Sequence, residues 1–215
     1  MSSHHFVRDG QEPALIIANG AMCSYDILTS LMEWCPYLVV LDGAYQRVKN
    51  LQITPDVVIG DFDSIEILEQ NPNVSYIEDD NQENTDLEKA LDLLIAKGYT
   101  DVNIVWATGN RLDHTINNFA TLAKYPKVKI VLYDDHSRAF ILPKSYKKHY
   151  NEGTRLSLIP IHSASGICTK NLLYELTDES LTFGQRSGTS NSAIKSEVVE
   201  ITYQEGILVL VESTD

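Results

Sequence analysis

A change of texture near Ser137 constrains this chain more than any single motif. Before it, short apolar runs alternate with stretches of helical periodicity, as in parallel strands joined by crossover helices. The runs predict strands at 14–18, 37–41, 56–59, 74–78, 102–107 and 128–133, and helices at 24–33, 44–50, 86–97 and 113–125. The third helix has the clearest pattern. Leu87, Ala90, Leu91, Leu94 and Ile95 share one face, Thr85 stands as N-cap before an acidic first turn, and Gly98 stops it. Beyond Ser137 the helical period disappears. Alternating stretches at 138–142, 155–159, 172–176, 198–203 and 207–211 are separated by turn residues such as Asn151-Glu152-Gly153, Ser165-Gly166 and Glu205-Gly206. The expectation is an α/β domain over residues 1–137 and an antiparallel β-domain over 138–215. The second is small for independent stability and should lean on the first or on another subunit.

The net charge of −13 argues against nucleic acid or an anionic membrane as partner. It also repels a bare polyphosphate, which favours metal-assisted phosphate binding. No apolar run approaches the roughly 20 residues a membrane-spanning helix needs. Three cysteines, Cys23, Cys35 and Cys168, form no Cys-x-x-Cys pair, and the odd count fits free thiols in a reducing cytoplasm.

Candidate chemistry collects at strand ends, where ligands bind in open α/β sheets. Asp61-Phe62-Asp63-Ser64 follows the apolar run Val57-Val58-Ile59-Gly60. Two carboxylates so spaced can hold a divalent metal against phosphate oxygens, or can be only a polar turn. Asp86 opens a helix after the polar loop 78–84, where it either complements the helix dipole or joins the site. In Gly109-Asn110-Arg111-Leu112-Asp113-His114, the glycine allows close backbone approach and Arg111 is suited to phosphate. Asp113 is suited to a metal or a hydroxyl, or to capping the helix. Asn19-Gly20 and Asp42-Gly43 end the first two strands and also read as ordinary turns.

Together these motifs resemble the thiamine pyrophosphokinase (thiamine diphosphokinase) family. The match runs in order along the chain. It takes in Asn19-Gly20, Asp42-Gly43, Pro55 to Ser64, Gln82 to Ala90 and Gly109 to His114. Tyr174-Glu175-Leu176, Leu181 to Gly184 and Thr189-Ser190-Asn191 continue it. The resemblance implies a parallel-sheet three-layer α/β domain followed by an antiparallel β-sandwich that binds thiamine and dimerises. It implies Mg²⁺-dependent transfer of pyrophosphate from ATP to the thiamine hydroxyl, giving thiamine diphosphate and AMP. Asp61, Asp63 and Asp86 would hold Mg²⁺, and these three with Arg111 and Asp113 would be catalytic. Asn19, Gly20, Asp42, Gly43, Thr85, Gly109, Arg111 and His114 would bind ATP, and Gln82, Thr189, Ser190 and Asn191 thiamine. The family works as a cytoplasmic homodimer with its active site between subunits. Two rival readings remain. One is a haloacid-dehalogenase-like phosphatase using Asp61 and Asp63, with Thr108 and Asp134-Asp135 mimicking later motifs of that class. The other is a catalytically silent regulator that binds thiamine or a nucleotide.

Overall fold

The computed structural model describes residues 12–63 and 71–214, so Ser64 lies outside the described residues. The chain divides into two compact units. One runs to Asp135 without Leu122–Lys124, and the other holds those three residues and the chain from His136 on.

The first unit contains β1 (Ala14–Ile17), α1 (Tyr25–Trp34), β2 (Tyr37–Leu41), α2 (Asp42–Asn50), β3 (Val57–Gly60) and β4 (Ser75–Glu78). It continues with α3 (Asp86–Ala96), β5 (Asp101–Val105), α4 (Leu112–Thr121) and β6 (Lys129–Tyr133). The strands lie in the order β4-β3-β2-β1-β5-β6, all parallel. β1, β2 and β3 are apolar along their whole length because both faces are covered, and every residue of β1 is buried, whereas β5 admits Asp101 and Asn103 at partly covered positions. β4, at the edge, is only partly covered. From β1 the chain steps outward through β2, β3 and β4, then returns on the other side of β1 as β5. The connections after β1 and β5 therefore diverge. That divergence leaves a crevice outside the carboxyl ends of these two strands.

α3 starts as its sequence predicts. Glu88 N donates to Thr85 Oγ1 and Thr85 N donates to Glu88 Oε2, a reciprocal capping box. Leu87, Ala90, Leu91 and Leu94 are buried, each leucine contributing about 1.5–3 kcal/mol. Ile95 departs from the expected face and is exposed. α2 begins at Asp42, earlier than predicted, because Asp42 Oδ1 accepts from Gly43 N at 2.5 Å and caps its own first turn.

The second unit contains β7 (Ser137–Ile141), β8 (Ser145–Tyr150), β9 (Arg155–Lys170), β10 (Glu179–Thr182), β11 (Gly188–Ser192), β12 (Glu197–Thr202) and β13 (Glu205–Ser213). Its pairings are antiparallel. β9 serves two layers. Along most of its length it pairs with β13, while Cys168–Lys170 pair with β12, which pairs with β8. The core between the layers is built from residues such as Leu156, Leu158, Ile167, Val199, Leu208 and Leu210. Glu212 of β13 links the layers, accepting from Arg138 of β7 and from Lys148, Tyr146 and Tyr150 of β8. Burial pushes its carboxyl up, but the bonds from Tyr150, Arg138 and Lys148 outweigh that and hold it below the usual range.

Three expectations fail here. Glu205-Gly206 is not a turn but opens β13, with Gly206 at φ +81°. Ser165-Gly166 is not a turn. β9 runs through it, and the irregularity appears as a register shift against β10, with Gly166 at φ +65°. Residues 172–176 form no strand. Leu172 makes a single bridge to Ala193, and side chains take two of the segment's backbone donors: Asn191 Oδ1 accepts from Tyr174 N, and Thr169 Oγ1 from Leu176 N.

Candidate active site

A cavity of about 360 Å³ opens at the carboxyl ends of the first unit's strands, at the β1/β5 switch point. Asn19 and Gly20 line it from β1, Asp61 from β3, Gln82, Thr85, Asp86 and Lys89 from the loop after β4 and from α3, and Gly109, Arg111 and His114 from β5 and α4. Loops after β1 and β5 are tied together, Gly20 N donating to Trp106 O and Ala21 N to Thr108 O. Trp106 is buried at φ +56° and Phe62 also sits at φ +56°, so two strand ends here hold left-handed backbone on large side chains.

Close packing sets the floor. A Cβ on Gly43 would fall 2.1 Å from the Asn19 carboxamide nitrogen, and one on Gly60 would fall 2.2 Å from Asp42 Cγ. Glycine at both positions lets these polar side chains lie flat against the neighbouring strand end. Arg47, on α2, then fixes Asn19. Its guanidinium donates to Asn19 Oδ1 at 2.7 Å and Gly20 O at 2.8 Å, and stacks 4.9 Å over the Trp106 ring. Burial lowers the Arg47 pKa.

Carboxylates crowd one wall. Asp42 is buried beneath the cavity and accepts from Gly43 N and Phe62 N. Its pKa is raised, chiefly by burial, then by the charge of Asp86, with a smaller push from Asp61. Asp63 does not line the cavity; its backbone N–H donates to Asp61 Oδ1. Asp86 pairs with Lys89 at 3.1 Å. Among the described residues no three metal-ligating side chains converge. Mg²⁺ requires no such cage, since one or two carboxylates, waters and substrate phosphates complete its shell. The hard oxygens of Asp61 and Asp86, in a wall with uncompensated negative charge, suit such an ion.

On the opposite side, Arg111 grips Asp113 by two parallel bonds, Nε to Oδ1 and Nη2 to Oδ2. Both side chains are exposed, at 69% and 64%. The bond from Arg111 holds Asp113 down to about 2 and raises Arg111. A carboxyl so acidic is a poor proton acceptor and a good anchor.

The structure thus gathers Asn19, Gly20, Asp61, Gln82, Thr85, Asp86, Gly109, Arg111 and His114 around one cavity. Asp42 and Gly43 lie just below it, and Asp113 acts on it through Arg111. Thr189, Ser190 and Asn191 belong to β11 in the second unit. Thr189 and Ser190 are exposed, whereas Asn191 is buried with its carboxamide spent on the backbone of Tyr174 and Ser192. Sequence reading missed Arg47 and Lys89. Helix spacing from Asp86 could have pointed to Lys89 as its i,i+3 partner. Nothing local marks Arg47.

Two family models match: "Thiamin pyrophosphokinase, catalytic domain" over residues 28–133 and "Thiamin pyrophosphokinase, vitamin B1 binding domain" over 143–208. Thiamine pyrophosphokinase 1 of Oryza sativa subsp. japonica is 30% identical over 176 residues, covering 74% of this chain and 66% of that one. Thiamine pyrophosphokinase 1 of Arabidopsis thaliana is also 30% identical, with 64% of its length covered, so the chain spans just under two thirds of these plant relatives. Thiamine pyrophosphokinase of Bacillus subtilis (strain 168) is 27% identical, with 93% of this chain and 98% of that one aligned. The crystal structure of thiamine pyrophosphokinase from Bacillus subtilis superposes with a TM-score of 0.81 at 25% identity, covering 95% of this chain and all of the other. Yeast thiamin pyrophosphokinase shares the fold at a TM-score of 0.83, 16% identity and 96% and 88% coverage.

Proposed function

This chain belongs to the thiamine pyrophosphokinase family, and from that premise we propose that it transfers pyrophosphate from ATP to the hydroxyl of thiamine. The observation that carries the proposal is the switch-point cavity, which combines Asp61, Asp86, Lys89 and Arg111 with the backbone of Gly20 and Gly109. That set suits a polyphosphate bound with a divalent cation. The thiamine oxygen bonds to the β-phosphorus as the bond from that phosphorus to the α,β-bridging oxygen breaks. AMP leaves, and the hydroxyl proton passes to solvent.

Asp61 and Asp86 would hold Mg²⁺ from the cavity wall, with Asp63 beside the cavity as the third carboxylate of the set. When bound, the ion offsets the phosphate charge in an acidic chain. Arg111 steadies phosphate oxygens, and Asp113 keeps Arg111 aimed instead of taking the hydroxyl proton. Asn19, Gly20, Asp42, Gly43, Thr85, Gly109 and His114 form the ATP side, directly or as its floor. Gln82, Thr189 and Ser190 bind thiamine, with Asn191 bracing the Tyr174 segment. Asp61, Asp86 and Glu83 also give the cavity the sign that suits a cationic thiazolium. The proposal includes a cytoplasmic homodimer whose active site draws on both subunits. Exposed Leu173, Tyr174 and Phe183 on the second unit support it as apolar surface for a partner to cover.

The phosphatase reading is not favoured. Asp61 and Asp63 follow the third strand, whereas the nucleophile of that class follows the first, and Asp86 in the same cavity would have no task. The test is to incubate the protein with ATP, Mg²⁺ and thiamine and to measure AMP and thiamine diphosphate together. The two should appear in equal amounts, only with thiamine present, and Asp61→Ala should lower both about 100-fold or more. ATP hydrolysis independent of thiamine, or release of phosphate from a generic monoester, would sink the proposal. Binding of both substrates without turnover would leave the regulator.

A further inference from the structure

Lys89 is the one cavity-lining group whose surroundings are at odds with a purely structural task. Its side chain is 3% exposed, on an acidic wall. Among the described residues its ammonium has two acceptors, Asp79 O at 2.6 Å and Asp86 Oδ1 at 3.1 Å. An ammonium carries three donor hydrogens. A buried charged donor short of an acceptor is unfavourable, and Lys89 is among the residues that line the cavity. Arg111, the cation evident in the sequence, is by contrast well solvated and already held at two points by Asp113. A charge in the drier position acts on a ligand more strongly.

We propose that Lys89 donates directly to a phosphate oxygen of the bound nucleotide, and that its ion pair with Asp86 holds the ammonium ready at the cavity wall. The assignment rests on the polyphosphate reading of this cavity. It differs from a fastening role, in which Lys89 would only join the Asp79 carbonyl to α3. In the fastening role Asp86 helps Lys89 do its work. In the binding role Asp86 competes with the phosphate for the same ammonium.

The competition is measurable without metal or turnover. The full chain is titrated calorimetrically with ATP in excess chelator, as wild type, Lys89→Met, Asp86→Asn and the double variant, with thermal melts reporting folding. Lys89→Met should weaken ATP binding about tenfold or more, the loss of one charge-assisted hydrogen bond. Asp86→Asn should strengthen it about threefold or more, because the ammonium loses its competitor. Adding Lys89→Met to Asp86→Asn should abolish that gain. The double variant also leaves no unpaired carboxylate, so it decides the matter if Lys89→Met alone does not fold. The proposal is overturned if Lys89→Met changes affinity less than about twofold in either background. It is equally overturned if the Asp86→Asn gain survives in the double variant, or if the wild type binds no ATP. A wild type that binds ATP in this Lys89-dependent way but makes no AMP with Mg²⁺ and thiamine would refute the transferase reading alone.

Discussion

Gly60→Ala tests the packing that carries the acidic wall. A methyl group there would sit 2.2 Å from Asp42 Cγ and 2.5 Å from its Oδ2. Non-bonded carbons prefer about 3.5–4.0 Å, so the Asp42 side chain would have to retreat by more than about 1 Å. It could not then keep its bonds from Gly43 N at 2.5 Å and Phe62 N at 2.9 Å. Bonds to a charged acceptor contribute about 1.5–3 kcal/mol each, and overpacking costs about 1–3 kcal/mol. These effects overlap, because the carboxylate relieves the clash only by giving up its bonds, so the expected loss is about 3–4 kcal/mol. For a chain of this size that lowers Tm by roughly 6–16 °C. Calorimetric melting of wild type, Gly60→Ala, Asp42→Ala and the double variant measures it. Asp42→Ala empties the space that the new methyl needs, so the double variant should cost at least about 1 kcal/mol less than the sum of the singles. A Gly60→Ala melt within about 1 °C of wild type, or strict additivity, would refute the packing argument.

Glu212→Gln should cost about 1–3 kcal/mol near neutral pH, less than for a fully buried pair because Arg138 and Lys148 are 40% and 37% exposed. The Glu212 pKa is depressed on folding, so its stabilisation is present above the usual carboxyl value of 4.5 and is lost as pH falls through the lower folded value; melts across pH 3–7 should show the variant's deficit shrinking there. Asp113→Asn should lower kcat/KM about tenfold or more while leaving the acid limb of its pH profile in place, since a carboxyl held to about 2 titrates below that limb. Disappearance of the limb would make Asp113 the base after all. Asn191→Ala should destabilise by about 1–3 kcal/mol, by orphaning the Tyr174 backbone, and should raise KM for thiamine but not for ATP.

Periodicity and strand-end chemistry made the first unit legible. Apolar runs identified all six parallel strands: β1, β2 and β3 are buried almost throughout, and β4, β5 and β6 keep enough apolar positions to stand out despite Glu78, Asn103 and Lys129. The second unit was harder. Ser165-Gly166 looks like a turn on local grounds, yet β10 absorbs it as irregular register, and residues 172–176 alternate like a strand while side chains take part of their hydrogen bonds. In the site, Asp61 and Arg111 stood out because they sit in loops after strands, and Asp86 and Asp113 because they stand in the first turns of α3 and α4. Asp63 was read with Asp61 by proximity in sequence; in the fold Asp61 lines the cavity and Asp63 follows a left-handed Phe62 beside it. Arg47 and Lys89 were hidden because a cation within a helix looks like a solvated face. Only the fold reveals that Arg47 reaches across to β1 and that Lys89 is covered.

Lys89 and Arg111 explain how an acidic chain can receive a polyanion. Burying a new charge is expensive unless a partner is already in place. Here the cavity cations come with partners: Lys89 with Asp86, and Arg111 with Asp113. At Lys89, which is 3% exposed, the desolvation of the ammonium is largely complete before a phosphate arrives, whereas Arg111 still has water to lose. Asp42 shows the opposing side of this arrangement. Its raised pKa means that ionising it in the folded state works against Asp86 and Asp61 as well as against burial. A floor that is strained electrostatically, and that holds Phe62 and Trp106 in left-handed backbone, is not what packing alone would select. It is accounted for if negative charge at this wall serves a cation brought in with the ligand, and the stability given up locally is recovered in the continuous apolar cores beneath β1 to β3 and between the β-layers.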